Sequence, residues 1–219
     1  MRTIVDLSHT IADGTVTSPG LPAPSISDHL SREASHERYA PGYEFQIGHI
    51  SMVSNTGTYL DTPFHRFPHG HDLAGLDPAR VADVPGMVVD ATGGEPEIGV
   101  DLLAGLDVTG RAVLFRTDWS RHWETERYGE PDHPYLASAT AQALAEAGAA
   151  VVGIDSVNID GTHTGERPIH TILLAAGVPV IEHLCNLDAV GDRPFRFFAV
   201  PPAIAGMGTF PVRALALID

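Results

Sequence analysis

The sequence predicts a single-domain α/β fold in which helices pack on a mixed, partly parallel sheet. Residues 137–155 and 167–182 each show a helical pattern followed at once by a buried strand pattern, and such helix-to-strand units imply partly parallel strands. Segments rich in β-branched and aromatic residues predict additional strands. The 219 residues, 43% of them hydrophobic, can bury one sizeable core. We therefore predict one domain over residues 1–219.

The first half of the chain is predicted to be mostly strand and loop. A segment rich in Gly, Pro and Ser at 12–25 indicates a loop, and residues 101–107 indicate a brief helix. The predicted strands of this half lie at 3–11, at 43–61 (one or two strands), at 85–92 and at 111–119.

The second half contains the two clear helices. Alanine dominates the interior of the first, where Ser138 is the candidate N-cap and Gly148 suits the C-terminal end. Pro168 lies in the first turn of the second helix and Gly177 at its end. The remaining predicted strands are 151–155, 178–182, 195–202 and 211–218.

The charge and composition disfavour several classes of function. The net charge is −15 and all 13 basic residues are arginine, so neither nucleic acid nor a membrane is an expected partner. The absence of lysine removes Schiff-base catalysis. No apolar run is long enough to cross a membrane and no signal peptide is evident, so we expect a cytoplasmic protein. Cys185 is expected to be an inert buried thiol.

One segment, NTGTYLDTPFH, collects polar side chains that suit a functional site. Asn55, Tyr59, Asp61 and His65 share one parity, so in an extended chain they project to one face. Pro63 prevents the segment from continuing as a helix. Of the twelve histidines, five are predicted to be solvated surface: His29, His36, His69, His71 and His133.

A second pair of polar residues flanks the second helix-to-strand unit. His170 lies near the start of that helix, and Glu182 ends the strand that follows. Helix, turn and strand can bring both residues to the same end of the sheet. Histidine and glutamate together suit a divalent metal such as zinc or manganese.

These segments resemble the cyclase family of metal-dependent hydrolases, which includes bacterial kynurenine formamidase and isatin hydrolase. The family signature is H-x-G-T-H-x-D-x-P-x-H, and the chain keeps Gly57, Thr58, Asp61, Pro63 and His65 of it. Other segments similar to the family are IVDLSHTIADG, GIDSVNID, HTILLAAGVPVIEHLCNL and FPVRALAL. The resemblance implies a swivelling β/β/α fold that assembles as a homodimer or homotetramer.

The resemblance also implies a set of site residues. It assigns one divalent ion, zinc or manganese, to Asp61, His170 and Glu182, and three protein ligands with an open position describe a catalytic site. Asn55 and Tyr59 replace the two signature histidines. Amide and neutral phenol oxygens are weak ligands for zinc, so a second ion is not expected. His65 occupies the place of the family's acid/base histidine.

A third group of candidates follows the strand at 111–119. Trp119, His122 and Trp123 lie where a loop would overhang the site. They are predicted either to shape an aromatic substrate pocket or, for the two tryptophans, to serve packing alone.

Three functions are compatible with these residues. The first is metal-dependent hydrolysis of an amide or formamide in a small-molecule substrate, with His65 as the acid/base residue. The second is metal-independent cyclisation, dehydration or isomerisation of a secondary metabolite, in which Tyr59 donates a proton, His65 is the base and Asn55 stabilises an oxyanion. The third is a non-catalytic protein that only binds its ligand.

Overall fold

The computed structural model describes residues 2–219, in which thirteen β-strands and three α-helices are formed. The strands are β1 Thr3–Asp6, β2 Ser25–Leu30, β3 Ile47–Ser51, β4 Tyr59–Asp61, β5 Val84–Asp90, β6 Glu97–Ile98, β7 Ala112–Arg116, β8 Tyr135–Leu136, β9 Val151–Ile154, β10 Val180–Glu182, β11 Phe195–Phe198, β12 Thr209–Pro211 and β13 Leu215–Ile218. The helices are α1 Arg32–Ser35, α2 Ser138–Glu146 and α3 Pro168–Ala175.

Across the described residues, nine of these strands form one mixed sheet in the order β1-β13-β11-β5-β7-β9-β10-β4-β12. The four neighbours β5, β7, β9 and β10 run parallel. The strands on either side of this block pair in antiparallel fashion. This arrangement confirms the predicted mixed α/β fold.

The central strands are buried on both faces of the sheet. In β7, Val113 and Phe115 pack on the face covered by α2 and α3, whereas Ala112 and Leu114 pack on the opposite face. This alternation follows from the two-residue period of a strand. It also explains why the parallel strands appear in the sequence as continuous apolar runs.

Most predicted elements are confirmed, with differences at their ends. Ser138 is the first residue of α2, and Ala137 occupies the N-cap position with extended backbone and no capping side chain. The N-cap prediction was therefore wrong by one residue, because β8 runs directly into the helix and the Ala137 N–H bonds to Ile98 O. The brief helix predicted at 101–107 is a short 3₁₀ turn over Val100–Leu103.

The strand pattern predicted at 43–61 divides between two sheets. β3 pairs only with β2 in a two-stranded ribbon, whereas β4 joins the main sheet. Ten of the eleven ribbon residues are exposed. Among residues 2–219, no helix has the length and apolar character that crossing a membrane requires.

The interior of the sheet leaves no room for a side chain at Gly153 in β9. A Cβ atom there would lie 2.7 Å from Leu184 Cδ1 and 2.9 Å from Leu114 Cδ2, and both leucines are fully buried. We expect Gly153→Ala to lower the free energy of unfolding by about 1–3 kcal/mol, the usual effect of overpacking a core. Urea unfolding would measure the change. Gly165→Ala is the control, since no atom lies within 4 Å of its added Cβ, and equal stability of the two variants would contradict this packing.

Candidate metal and catalytic site

The register of three antiparallel strands places the first group of site residues on one face. In the β4–β10 pair, Tyr59 lies opposite Glu182, and in the β4–β12 pair, Asp61 lies opposite Thr209. Directly opposed residues project to the same side of a sheet, as do residues two apart on one strand. All four side chains therefore converge at the same edge.

The start of α3 presents His170 to this edge. Asp160 holds the helix terminus, because its carboxylate accepts the backbone N–H groups of Ile169 (2.7 Å) and His170 (3.1 Å). The same carboxylate lies 2.5 Å from Nδ1 of His170 and so fixes Nδ1 as the donor. The other ring nitrogen, Nε2, lies 3.5 Å from Asp61 Oδ2 and 3.6 Å from Glu182 Oε1.

His65 reaches the same edge from a 3₁₀ turn over Pro63–His65. The turn packs against Gly208, where an added Cβ would lie 2.2 Å from the His65 backbone nitrogen, so only glycine fits. The Thr209 hydroxyl donates to Asp61 Oδ1 and lies 2.7 Å from His65 Nδ1. Because the hydroxyl hydrogen is directed to Asp61, His65 Nδ1–H donates to Thr209, which leaves a lone pair on Nε2.

Burial and charge set the protonation of this group. Burial alone would raise the pKa of Asp61, but the His170 and His65 imidazoles hold it below its usual value. Burial would lower the pKa of His170, yet Glu182, Asp160 and Asp61 together raise it to about 10. Burial raises the pKa of Glu182. Without an ion, an imidazolium at His170 therefore offsets part of the charge of the surrounding carboxylates.

These residues fit a divalent ion. Asp61, His65 and His170 each offer a ligand atom within 4.8 Å of the others. Within residues 2–219, the buried Asp61 Oδ2 has no hydrogen-bond partner, and a buried carboxylate oxygen left in this way requires a cation or a donor. One carboxylate and two imidazoles form a donor set suited to zinc or manganese.

The three predicted metal ligands, Asp61, His170 and Glu182, lie close together, and His65 joins them. Glu182 lies beside His170, as the sequence predicted, but its two oxygens already accept bonds from Tyr59 O–H (2.6 Å) and Ile159 N–H (2.7 Å). His65, predicted to be the acid/base residue, lies within the compact group instead. The individual roles of these residues remain predictions.

Asn55 and Tyr59 do not share one extended strand. The chain turns at Gly57, where φ is +65°, and a 3₁₀ turn over Pro63–His65 follows β4. The predicted common parity of residues 55–65 therefore holds only for Tyr59 and Asp61. Tyr59 is buried, and burial together with the charges of Glu182 and Asp61 raises the pKa of its hydroxyl well above the usual value. The Asn55 amide oxygen accepts from the Ser54 hydroxyl at 3.1 Å.

The three residues predicted to line a substrate pocket occupy different environments. Trp119 is buried and its Nε1–H donates to the Tyr128 carbonyl at 2.9 Å, and His122 lies edge-on to its ring at 5.0 Å between centroids. Trp123 stacks on His9, with 4.0 Å between centroids and an 8° angle between the rings. Trp123 also packs edge-on against His183, whose Nε2 lies 3.3 Å from the Tyr59 hydroxyl.

Comparison with known proteins identifies the family. The Cyclase family model, described as "Putative cyclase", matches residues 5–161. The chain belongs to the Cyclase family. The matched region includes β4 and the 3₁₀ turn that bears His65.

Individual relatives of this cyclase-family protein align over nearly its whole length. Kynurenine formamidases from Bacillus cytotoxicus and Bacillus cereus are each 29% identical, covering 96% of this chain and 95% of their own. Among solved structures, isatin hydrolase A from Ralstonia solanacearum is 25% identical with a TM-score of 0.83, covering 100% of this chain and 92% of that one. A protein described as a "potential metal-dependent hydrolase with cyclase activity" is 25% identical with a TM-score of 0.81, covering 100% and 99% of the two chains.

Several residues of the candidate site were not predicted from the sequence. Asp160 orients His170, and Thr209 orients His65. Asp160 lies in a segment that carries the family resemblance and Thr209 lies beside one, so this resemblance was the signal that could have identified them. His183 follows Glu182 directly and is fully buried beside Tyr59. His133 was wrongly predicted to be surface, because its ring is buried and bonds to Ser156 and Thr162.

The protonation of His170 predicts how metal binding by this cyclase-family protein depends on pH. An ion that binds Nε2 must displace the proton held there by a pKa of about 10. We therefore expect zinc affinity to rise with pH, by about tenfold per pH unit for one displaced proton. Dissociation constants from chelator competition across a pH series would measure this slope, and an affinity independent of pH would contradict the assignment.

The positive charge of His170 gives the stability of the metal-free protein the opposite dependence on pH. Because the folded pKa of His170 is raised from 6.5 to about 10, its stabilising effect is complete below pH 6.5 and is lost as the pH rises through about 10. Thermal unfolding of metal-free protein over this range is the matching control.

Proposed function

We propose that this protein is a metal-dependent hydrolase that cleaves the C–N bond of an amide or formamide. The observation that carries the proposal is the buried Asp61 Oδ2, without a hydrogen-bond partner in residues 2–219, facing Nε2 of His170 and grouped with His65. A partly exposed His65 connects this buried group to solvent. The proposed ion is a single zinc or manganese held by Asp61, His170 and Glu182, with His65 beside it as the acid/base residue.

The residues of the chain supply the proton transfers of the reaction. When bound, a divalent ion supplies Lewis acidity toward a carbonyl oxygen and toward water. His65 offers a lone pair at Nε2, since Thr209 accepts its Nδ1–H, so it can take a proton from the attacking water. The same imidazolium can return this proton to the leaving nitrogen as the C–N bond breaks. The Asp61–Thr209 pair keeps the imidazole in the required tautomer.

The substrate class is proposed from the relatives and from the aromatic residues beside the site. The curated relatives are named kynurenine formamidase, and a solved structure with the same fold is an isatin hydrolase. Both names point to an aryl amide or formamide. The stacked His9 and Trp123 rings provide an aromatic wall that suits such a group. N-formylkynurenine is the substrate to test first.

The metal-independent alternative has less support from the geometry. In that mechanism Tyr59 would donate a proton to substrate, but its hydroxyl already donates to Glu182 at 2.6 Å and is buried. The raised pKa of this hydroxyl makes proton release harder still. Metal binding by this protein with no turnover of any amide or formamide would favour the third alternative, a non-catalytic protein that only binds its ligand.

We expect His65→Asn to lower turnover of N-formylkynurenine by roughly 100-fold or more, the usual loss when a general acid–base residue is removed. Metal content and melting temperature should stay near those of the unaltered protein. Steady-state kinetics, elemental analysis and thermal unfolding on the same preparation would measure all three. His69→Asn is the matched control, because His69 is exposed on the adjacent loop.

Other outcomes for His65→Asn assign the residue differently. Loss of the ion together with activity would make His65 a metal ligand and not the acid/base group. A destabilised but fully active variant would limit His65 to capping its turn. Either result would contradict the proposed role.

We further propose that the protein assembles as a homodimer or homotetramer through the β2–β3 ribbon. Its cross-strand pair Ile26 and Ile50 is 44% and 47% exposed, and Tyr43 and Phe45 beside it are 63% and 52% exposed. A two-stranded ribbon is marginally stable in water without a packing partner, and clustered apolar exposure is typical of protein interfaces. A second copy of the chain is the proposed partner.

The double variant Ile26→Thr with Ile50→Thr tests this assembly. Threonine keeps β-branching while it removes apolar surface, so the ribbon should persist and the oligomer should dissociate to a monomer. Light scattering coupled to size-exclusion chromatography would measure the mass. Val200→Thr, at an exposed apolar residue outside the ribbon, should leave the mass unchanged. A monomeric unaltered protein, or an unchanged mass for the double variant, would contradict the proposal.

A further inference from the structure

Two buried residues beside the metal group, His183 and Tyr128, have no role in the mechanism above. His183 is fully buried and Tyr128 is 3% exposed. The His183 ring lies between the two tyrosines, with centroids 5.0 Å from Tyr59 and 5.7 Å from Tyr128. Trp123 packs edge-on against the same ring at 5.8 Å. The imidazole is therefore enclosed by aromatic side chains that fix its orientation.

The backbone of His183 is also held in an unusual conformation. Its φ of +58° lies in the left-handed region, which few bulky residues adopt. The His183 N–H donates to Ser156 O at 3.2 Å, and Thr58 Oγ1 donates to the His183 carbonyl at 2.5 Å. Such a conformation persists where surrounding contacts determine it, and it is enriched at functional sites.

The hydrogen bonds around His183 run in one direction. The Glu182 carboxylate can only accept, so Tyr59 donates to its Oε2 at 2.6 Å. The Tyr59 oxygen then accepts from His183 Nε2–H at 3.3 Å. His183 Nδ1 is left as an acceptor, and the Tyr128 hydroxyl donates to it at 2.8 Å. The four residues form a relay, Tyr128 to His183 to Tyr59 to Glu182.

We propose that His183 and Tyr128 are positioning residues that hold Tyr59 as a neutral donor to Glu182. The relay fixes the Glu182 carboxylate so that Oε1 faces His170, while the Tyr59 oxygen is occupied by the His183 N–H and does not ligate an ion. This inference rests on the proposed metal-dependent function. It predicts that residues acting through Tyr59 control how tightly the centre binds one ion.

A double-mutant cycle on zinc affinity separates positioning from a purely structural role. His183→Leu breaks the relay, and we expect it to weaken zinc binding by about 10- to 100-fold, the usual effect of losing an outer-shell partner of a metal site. In the Tyr59→Phe background the same change should have almost no further effect, because the hydroxyl through which His183 acts is already absent. Additive losses, or an unchanged affinity in folded His183→Leu, would overturn the proposal.

His183→Gln is the conservative counterpart. Its amide N–H₂ can replace the Nε2–H donor to Tyr59, so it should retain most of the zinc affinity that His183→Leu loses. Tyr128→Phe should weaken binding less than His183→Leu, since it removes only the first donor of the relay. Circular dichroism and thermal unfolding establish that each variant folds. A Gln variant as weak as the Leu variant would overturn the relay as drawn.

The tautomer of His183 is measurable without any metal. Long-range ¹H–¹⁵N spectra of labelled, metal-free protein distinguish a protonated from an unprotonated ring nitrogen, and the His183→Gln spectrum assigns the signal. We expect a neutral ring with the proton on Nε2, and the opposite tautomer would overturn the proposal. If the proton is on Nε2 but the protein takes up no metal, the proposed function is contradicted and the relay is not. If the protein takes up metal but the losses of zinc affinity in the double-mutant cycle are additive, the relay is contradicted and the proposed function is not.

Discussion

The antiparallel pairing of β4 with β10 is the constraint on which the candidate site depends. It sets Tyr59 opposite Glu182, and the parallel pairing of β10 with β9 attaches both to the core of the sheet. A shift of one residue would turn Asp61 away from His170, because strand side chains alternate between faces. Such a shift is resisted by Leu60 and Ile181, which are fully buried on the opposite face. Core packing therefore determines the geometry of the polar group.

Three of the four buried carboxylates in residues 2–219 surround His170. Asp61, Asp160 and Glu182 are fully or almost fully buried, and His170 lies among them. Buried carboxylates this close repel one another unless a positive charge lies between them. A protonated His170 supplies that charge without an ion, and a divalent cation would supply it with one. Binding of a divalent ion at Nε2 would displace the His170 proton and raise the net charge of the group by one unit.

The sequence predicted much of the fold because its elements follow local rules. Alanine content indicated α2, Pro168 indicated the start of α3, and continuous apolar runs indicated the central strands. The separate β2–β3 ribbon was not predicted, since no local pattern shows which sheet a strand will join. The predicted alternation of side chains over residues 55–65 fails at Gly57, because its positive φ turns the chain and this turn is not visible in the sequence.

The candidate site was predicted less completely than the fold, because several of its contacts join residues that are distant in the sequence. Its ligands lie in recognisable segments, but Asp160, Thr209 and His183 act through contacts that span 10, 144 and 124 residues of sequence. Nothing in the sequence around such a residue shows which distant side chain it will meet. In the sequence, Tyr59 in place of a signature histidine indicated only that a metal ligand is missing. In the structure, its hydroxyl donates a hydrogen bond to Glu182. The same hydroxyl lies 3.3 Å from Nε2 of His183, whose other ring nitrogen bonds to Tyr128. The environment of this one position therefore depends on residues that are remote from it in the sequence.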